Sequence, residues 1–371
     1  MQIKGAAAEE KRGVRFSGHG ENISVSVAKA ESYYGSKTGL DIITAVLCCD
    51  FFGYPSDSRF FFVQWRTIRK EWNIVMTKNP IFRGAATALI TPMNEAGVDY
   101  EAFGKLIDWQ IDSGIDALVI AGTTGEASTL TDEEHREVLR YAAERIAGRV
   151  PAIAGTGSND TAYAIDMSIY ACELGYDALL IVTPYYNKAT QNGLIQMFTQ
   201  IADASTKPVI LYNVPSRTGV NISTAVYAAL ADHPNICAIK EANGDISSAV
   251  ATASLVGDKL DLYCGNDDQI VPFLSIGGSG VISVLSNLLP KETSDICNKF
   301  FNGDVAGSRE LQFKYLDLVN ALFCEVNPIP VKAAMAAMGF CEDVIRLPLT
   351  PMEEEHKQKL FALMRAEGLI R

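Results

Sequence analysis

A lysine flanked by apolar residues is the most informative reactive side chain in the sequence. Lys240 follows Cys237, Ala238 and Ile239 in a short run with the composition of a buried strand. Burial favours the neutral form of a lysine amine, and this form attacks a ketone or aldehyde and condenses with it to a Schiff base. A structural ion pair with the adjacent Glu241 is the alternative, and the residues alone leave both readings open.

Hydroxyl side chains that could transfer protons occur at the ends of other apolar runs. Thr123 follows the run ALVIAG, Tyr186 follows ALLIVTP, and Tyr212 lies within PVILYNV. Imine chemistry needs proton donors and acceptors near the reacting carbon, and these hydroxyls can provide them. Each residue also suits a structural role, because tyrosine packs in cores and threonine is common in strands. The three residues are therefore candidates for a proton relay.

Two further features could bind an anion. Arg217, in the segment YNVPSRTG, could form a forked contact with a substrate carboxylate or an ordinary surface ion pair. The segment GTTGE at residues 122–126 offers backbone N–H groups to an anion. It is not a P-loop, since no GK[ST] follows it.

The histidines and cysteines do not indicate a metal site. His19, His135, His233 and His356 are scattered, and none has HxH or HExxH spacing. His135 follows Glu134 at the acidic start of a predicted helix, and we expect it to be solvated. The eight cysteines show no CxxC spacing, which is typical of reduced residues in a cytosolic protein.

Eight short apolar runs after Met76 must position these residues. Near-continuous apolar runs are typical of parallel strands that are covered on both faces. The runs are Thr87–Pro92, Ala117–Gly122, Pro151–Gly157, Ala178–Pro184, Pro208–Val214, Ile236–Ala242, Asp261–Asn266 and Gly280–Val284.

Helical patterns separate the runs. Residues 132–147 carry apolar residues at helical spacing, and Thr131 with Glu134 predicts a capping box at the start. Eight strand–helix units indicate a (β/α)₈ TIM barrel, with a doubly wound sheet as the alternative. In such a barrel the chemistry lies at the carboxyl ends of the strands, where GTTGE, Tyr186, Arg217 and Lys240 occur.

Composition and charge exclude several classes of protein. The chain has 371 residues, about half of them apolar, which excludes collagen-like and wholly disordered proteins. A net charge of −12 argues against a nucleic-acid partner, and no apolar run is long enough to predict a membrane helix. We expect a soluble, cytoplasmic protein.

The first 75 residues differ from the rest. They hold 10 Lys and Arg against 8 Asp and Glu, whereas residues 76–371 hold 22 against 36. They lack sustained periodicity and a recognisable targeting signal. We therefore predict that residues 1–75 are disordered or foreign to the native protein, which would start at Met76; a small accessory segment is the alternative. Residues 76–295 are predicted to form the barrel and 296–371 a C-terminal helical region.

Six motifs in order carry a family resemblance. The sequence resembles the dihydrodipicolinate synthases in the motifs GTTGE, PYYN, YNVPSRTG, IKEA, GND and GVISV. These enzymes belong to the pyruvate-dependent class I aldolases, a family that also includes N-acetylneuraminate lyase. The resemblance covers about residues 76–371. It implies a (β/α)₈ barrel with a C-terminal helical extension, usually as a homotetramer. It also implies condensation of pyruvate with L-aspartate 4-semialdehyde, in lysine and diaminopimelate biosynthesis, with no cofactor or metal.

The resemblance also implies a role for each matching residue. Lys240 would form the imine with pyruvate, and the hydroxyls named above would relay protons. The remaining roles concern binding and assembly. Thr124 would bind the pyruvate carboxylate, Arg217 the semialdehyde carboxylate, Ile282 and Gly265 would lie near substrate, and Tyr185 would reach across a dimer interface.

The sequence departs from the family at the pocket that binds lysine in feedback-inhibited relatives. Ala127, Asp132 and Tyr163 stand at positions of that pocket, whereas Asn159 and His135 are retained. The inhibited relatives hold lysine there with a serine or similar residue, a histidine and a glutamate, and loss of the glutamate predicts weak or no inhibition by lysine. A sister aldolase acting on sialic or 2-keto-3-deoxy sugar acids, and a non-catalytic keto-acid-binding relative, are the alternative functions.

Overall fold

The computed structural model describes residues 13–18, 21–26 and 80–371. Strands β1 (Gly13–Gly18) and β2 (Glu21–Ser26) pair as an antiparallel hairpin. The other residues of the segment 1–75 lie outside the described residues. The predictions made for that segment therefore stay predictions.

Eight parallel strands form a closed barrel in residues 80–371. Each strand pairs with the next along the chain, and the last pairs with the first. The strands are β3 (Gly84–Ala88), β6 (Ala117–Ile120), β7 (Ala152–Gly155), β8 (Ala178–Val182), β9 (Val209–Asn213), β10 (Ile236–Glu241), β11 (Asp261–Cys264) and β12 (Gly280–Ser283). The predicted (β/α)₈ barrel is confirmed, and the doubly wound alternative is excluded.

Helices connect the strands and continue beyond the last one. A short hairpin, β4 (Met93–Asn94) and β5 (Gly97–Val98), precedes the first helix. The barrel helices are α1 (Tyr100–Asp112), α2 (Asp132–Ile146), α3 (Thr161–Glu173), α4 (Gln191–Ala204), α5 (Pro215–Thr218), α6 (Thr224–Leu230), α7 (Ile246–Val256), α8 (Ile270–Ser275) and α9 (Pro290–Phe301). The C-terminal helices are α10 (Val305–Lys314), α11 (Leu316–Leu322), α12 (Ile329–Ala337) and α13 (Glu354–Ala366).

The first barrel strand starts earlier than predicted. Strand β3 starts at Gly84 rather than Thr87, because its first residues are small and give a weak apolar signal. A Cβ atom at Gly280 would lie 2.0 Å from the carbonyl oxygen of Gly84, so the close pairing of β12 with β3 needs glycine there. The predicted division between residues 295 and 296 falls inside α9.

Helix α2 begins as its sequence predicts. The Thr131 hydroxyl accepts a hydrogen bond from the Glu134 N–H, and the Glu134 carboxylate accepts one from the Thr131 N–H. This reciprocal capping satisfies N–H groups that have no partner within the helix. The buried residues of α2 then follow at helical spacing, so that one face of the helix packs on the barrel.

An aromatic pair packs in the inner core towards the amino end of the barrel. The rings of Phe82 and Tyr263 stack with their centroids 4.2 Å apart. The Tyr263 hydroxyl donates to the Phe82 carbonyl oxygen at 2.8 Å and accepts from the Phe82 N–H at 3.2 Å. Phe82 precedes β3, so this contact lies at the end opposite the one where barrel chemistry occurs.

None of the helices in the described residues is both long and apolar enough to cross a membrane.

Candidate active site

Lys240 lies on the inner face of the barrel wall. Ala238 and Ala242 of the same strand region belong to the inner core and Ile239 to the outer one, so alternation turns Lys240 inward. The side chain is buried, with 6 % of the residue exposed. Its Nζ lies 4.2 Å from the ring centroid of Tyr212, the register partner of Lys240 on β9.

Glu241 faces the opposite side of β10 and does not neutralise Lys240. Its Oε1 accepts from Asn213 Nδ2 at 3.0 Å and from the Asn243 N–H at 2.9 Å. Its Oε2 accepts from the Tyr227 hydroxyl at 3.0 Å. Burial raises the pKa of the Glu241 carboxyl, against the effect of these hydrogen bonds. The predicted alternative, an ion pair between Lys240 and Glu241, is therefore excluded.

Lys240 lines a cavity of about 140 Å³ at the carboxyl ends of the strands. We call it the lysine cavity. Several residues singled out in the sequence share its wall. They are Thr123, Thr124, Tyr212, Arg217 and Gly265. The fold thus brings the candidate nucleophile, two hydroxyl side chains of the candidate relay and loop groups around one space.

A second cavity of about 270 Å³ adjoins the first. We call it the histidine cavity, because His135 lines it. Thr123, Tyr212 and Arg217 line both cavities, whereas Tyr185 lines only the larger one. A reactant held at Lys240 and one held beside Arg217 would therefore be neighbours.

His135 is buried, contrary to our expectation that it is solvated. Its Nε2 lies 3.0 Å from the Gly155 carbonyl oxygen and its Nδ1 lies 3.3 Å from the Tyr163 hydroxyl. Burial lowers the pKa of His135. The reason is helical spacing, since His135 continues the stripe that Val138 and Leu139 form on the packed face of α2.

Two candidate residues do not line either cavity. Tyr186 has a left-handed backbone, with φ 72°, and 91 % of the residue is exposed. Ile282 is buried in the inner core of the barrel together with Tyr212. The chain therefore gathers part of the predicted relay, Thr123 and Tyr212, and leaves Tyr186 at the surface.

Asn327 is a cavity residue that the sequence analysis did not identify. It precedes α12 and lines the lysine cavity, with 5 % of the residue exposed. Its Nδ2 donates to the Thr124 hydroxyl at 3.0 Å, whereas its Oδ1 has no hydrogen-bond partner in the described part of the chain. The signal was an asparagine directly before a proline, at the start of the segment NPIP, inside a region predicted to form additional helices.

Three groups in the C-terminal region could hold a cation by their spacing. Glu325, Glu353 and His356 each place one ligand atom within 4.8 Å of the others. Nδ1 of His356 lies 2.8 Å from Oε1 of Glu325, so a histidine–carboxylate hydrogen bond accounts for this arrangement. None of the three residues lines the two cavities.

Comparison with known proteins matches this barrel to one family. The profile of the dihydrodipicolinate synthetase family matches residues 81–367, most of the chain and all of its barrel strands. The chain belongs to this family. The resemblance inferred from the six motifs is confirmed.

Relatives within the dihydrodipicolinate synthetase family are similar over nearly their whole length. The 4-hydroxy-tetrahydrodipicolinate synthase of Clostridium perfringens is 53 % identical over 291 residues, which are 78 % of this chain and 100 % of that protein. The enzyme of the same name from Caldicellulosiruptor saccharolyticus is 55 % identical over 282 residues, 76 % of this chain and 95 % of that protein.

A solved structure shows the same architecture. The dihydrodipicolinate synthase of Acinetobacter baumannii, complexed with pyruvate, superposes with a TM-score of 0.76 at 43 % identity. The match covers 78 % of this chain and 99 % of that chain. Family, fold and enzyme class therefore agree: the chain is a lyase of the class I, metal-independent type.

Proposed function

We propose that this chain is a 4-hydroxy-tetrahydrodipicolinate synthase, which condenses pyruvate with L-aspartate 4-semialdehyde. The observation that carries the proposal is Lys240, buried on the inner face of the barrel and lining a cavity with Thr123 and Tyr212. The neutral amine attacks the ketone carbon of pyruvate, and loss of one water gives the imine. The protonated imine then withdraws electrons from the methyl carbon, which loses a proton and becomes an enamine.

The hydroxyl groups in the lysine cavity move these protons. Tyr212 stacks beneath the Lys240 amine, and Thr123 lines the same wall. Proton transfer between positioned hydroxyls lowers the barrier for loss of water and for enamine formation. Thr124 binds the pyruvate carboxylate, supported by the hydrogen bond that fixes its hydroxyl to Asn327. Gly265 and Ile282 complete the surroundings of this substrate.

Arg217 binds the carboxylate of L-aspartate 4-semialdehyde. It lines both cavities, so a carboxylate held there places the aldehyde beside the enamine at Lys240. The enamine carbon attacks the aldehyde carbon and forms the new carbon–carbon bond. The amino group of the second substrate then displaces Lys240 from the imine carbon, which closes the ring and frees the enzyme.

Two neighbouring tyrosines connect the site to a second copy of the chain. Tyr186 supplies its hydroxyl to the relay of a neighbouring copy, and Tyr185 contacts that copy at a dimer interface. The exposure of Tyr186 supports this arrangement. We propose a cytoplasmic homotetramer that uses neither cofactor nor metal, because the covalent imine serves as the electron sink.

Borohydride trapping tests the proposal. Reduction in the presence of pyruvate converts the imine to a stable secondary amine, and the peptide containing Lys240 should gain the corresponding mass. Lys188 and Lys332 serve as internal controls. Modification of either one with Lys240 untouched would overturn the assignment. If Lys240 is trapped but the enzyme prefers an aldehyde other than aspartate semialdehyde, the chain is a sister aldolase.

A further inference from the structure

A buried carboxylate beside the lysine cavity has no role in the scheme above. Asp267 follows β11 in a short 3₁₀ turn, Asp267–Gln269, and 2 % of the residue is exposed. Its Oδ2 accepts hydrogen bonds from the N–H groups of Val284 and Leu285, both at 2.8 Å. Its Oδ1 has no hydrogen-bond partner among the described residues.

Asp267 is adjacent to two residues that line the lysine cavity. Asn266, its neighbour in the chain, lines the lysine cavity, and so does Val284, whose N–H binds its carboxylate. Lys240 lines the same cavity from β10. The carboxylate therefore sits behind a wall that the candidate imine nitrogen faces from the other side.

An isolated buried carboxylate is costly unless hydrogen bonds or a cation compensate it. Burial raises the pKa of Asp267, whereas hydrogen bonds and the charge of Lys240 oppose that effect. Neither Asp267 nor Lys240 forms a direct ion pair within the described part of the chain. The effect of Lys240 on the Asp267 carboxylate therefore acts without a direct contact between the two side chains.

We propose that Asp267 is a positioning residue for the imine chemistry. Its carboxylate fixes the carboxyl end of β12 through two N–H groups and supplies the negative charge that stabilises the cation at Lys240. This inference rests on the proposed function. Condensation of the amine with a ketone releases one water, and uptake of one proton leaves a positive charge on the imine nitrogen. A fixed negative charge behind the wall favours that protonated form.

Other titratable groups near these two residues must be considered in any pH experiment. The titratable groups near Lys240, on the barrel wall or in the cavity lining, are Tyr212, Arg217, Glu241 and Tyr263. Those near Asp267 are Cys264 and Cys297. Burial raises the pKa of the Cys264 and Cys297 thiols, which keeps both neutral at neutral pH. Glu241 is held by Asn213, Asn243 and Tyr227, whereas the Asp267 carboxylate is the one on which the charge of Lys240 acts.

The test compares Asp267→Asn with Asp268→Asn. Asparagine keeps an oxygen that can accept the two N–H groups and removes the charge, whereas Asp268 is exposed and serves as the matched control. The measurement is the fraction of Lys240 trapped by borohydride with pyruvate as a function of pH. We expect the profile of Asp267→Asn to move to lower pH by on the order of one unit.

A purely structural role would give a different result. A lower melting temperature of Asp267→Asn with a pH profile that superimposes on those of wild type and Asp268→Asn would overturn the inference. If wild type itself is not trapped at Lys240, the proposed function fails instead. The two failures are therefore distinguishable.

A second measurement does not need the Asp267 variant to fold. In Lys240→Met the cation is lost, so Asp267 should take up a proton at higher pH than in wild type. Infrared difference spectra recorded against pH report the carboxylic acid band, and ¹³C-labelled aspartate separates this band from that of Glu241. An unchanged titration of the buried aspartate band would also overturn the inference.

Discussion

Lys332 and Glu126 form a fully buried ion pair that joins the C-terminal helical region to the loop GTTGE. Nζ of Lys332, on α12, bonds Oε1 of Glu126, and the side chains are 1 % and 2 % exposed. Glu126 has a left-handed backbone, with φ 57°. Asn327, just before α12, binds Thr124 of the same loop. One segment thus holds the loop at two points, and the C-terminal region supports the wall of the lysine cavity.

Breaking this pair should destabilise the protein strongly. Lys332→Met leaves the Glu126 charge buried without its partner, which costs about 3–5 kcal/mol in comparable sites. We expect a large decrease in the denaturant midpoint, and partial recovery in the double variant with Glu126→Gln. Lys359→Met, which removes an exposed i,i+4 pair, is the control and should leave the midpoint unchanged. Equal midpoints for Lys332→Met and Lys359→Met would contradict the prediction.

Arg217→Ala should affect the two substrates unequally. We propose that Arg217 binds the semialdehyde carboxylate through a forked contact, so kcat/KM for that substrate should fall about 10- to 100-fold, as expected for a charge-assisted hydrogen bond. Trapping of pyruvate at Lys240 should change little. Arg217→Lys keeps the charge but loses the fork, and it should fall between wild type and Arg217→Ala. An equal loss of both steps would mean that Arg217 has a structural role.

Millimolar lysine should leave the activity unchanged. Ala127, His135 and Tyr163 line the histidine cavity, and no carboxylate is among the described residues of its wall. Burial, followed by the Asp132 carboxylate, raises the pKa of Tyr163 to about 12, so this side chain stays neutral and cannot pair with an ammonium group. Tyr163→Glu restores an acidic group and should introduce inhibition by lysine. Saturable inhibition of wild type at low lysine concentration would disprove the prediction.

Glu241 should make the protein less stable as the pH rises. Below the unfolded pKa of 4.5 the carboxyl is neutral in both states and contributes no difference. Above it the unfolded carboxyl ionises, while burial raises the folded pKa and delays ionisation, so the folded state loses stability until the pH passes the folded pKa. As the pH is raised from 4.5, the melting temperature of wild type should fall relative to that of Glu241→Gln. Parallel curves would show that Glu241 ionises normally.

A chain shortened to residues 76–371 should keep its melting temperature and its activity. The family match covers residues 81–367, and the Clostridium perfringens relative aligns over its full length with 78 % of this chain. A chain that starts at residue 90 is the control, because it lacks β3 and opens the barrel. If the 76–371 chain aggregates or is inactive, residues 1–75 contribute to the fold.

Features set by neighbouring residues could be predicted from the sequence. The start of α2 follows from Thr131 and Glu134, which satisfy each other's backbone groups locally. Lys240 could be assigned to a barrel strand because its neighbours are apolar. Its separation from Glu241 follows from the alternation of a strand, yet the sequence left the ion pair open because it does not show which face meets the cavity.

Features set by distant residues could not be predicted in the same way. His135 looks solvated beside its acidic neighbours, and only the packing of α2 on the barrel buries it. Asn327 binds Thr124, although more than half of the barrel sequence lies between the two residues. The start of β3 at Gly84 depends on its pairing with Gly280 at the other end of the barrel domain. In each case the decisive partner lies far away in the chain.

The stacked rings of Phe82 and Tyr263 affect the order in which the two reactants can enter the barrel. These rings pack in the inner core at the amino end, whereas Lys240 lines the cavity at the carboxyl end, so we expect reactants to reach Lys240 through that cavity. Pyruvate must pass inward and the water of condensation must pass outward before the aldehyde occupies that passage. The second reactant, when present in excess, therefore competes with the first for entry, and an increase in pyruvate concentration should relieve the block.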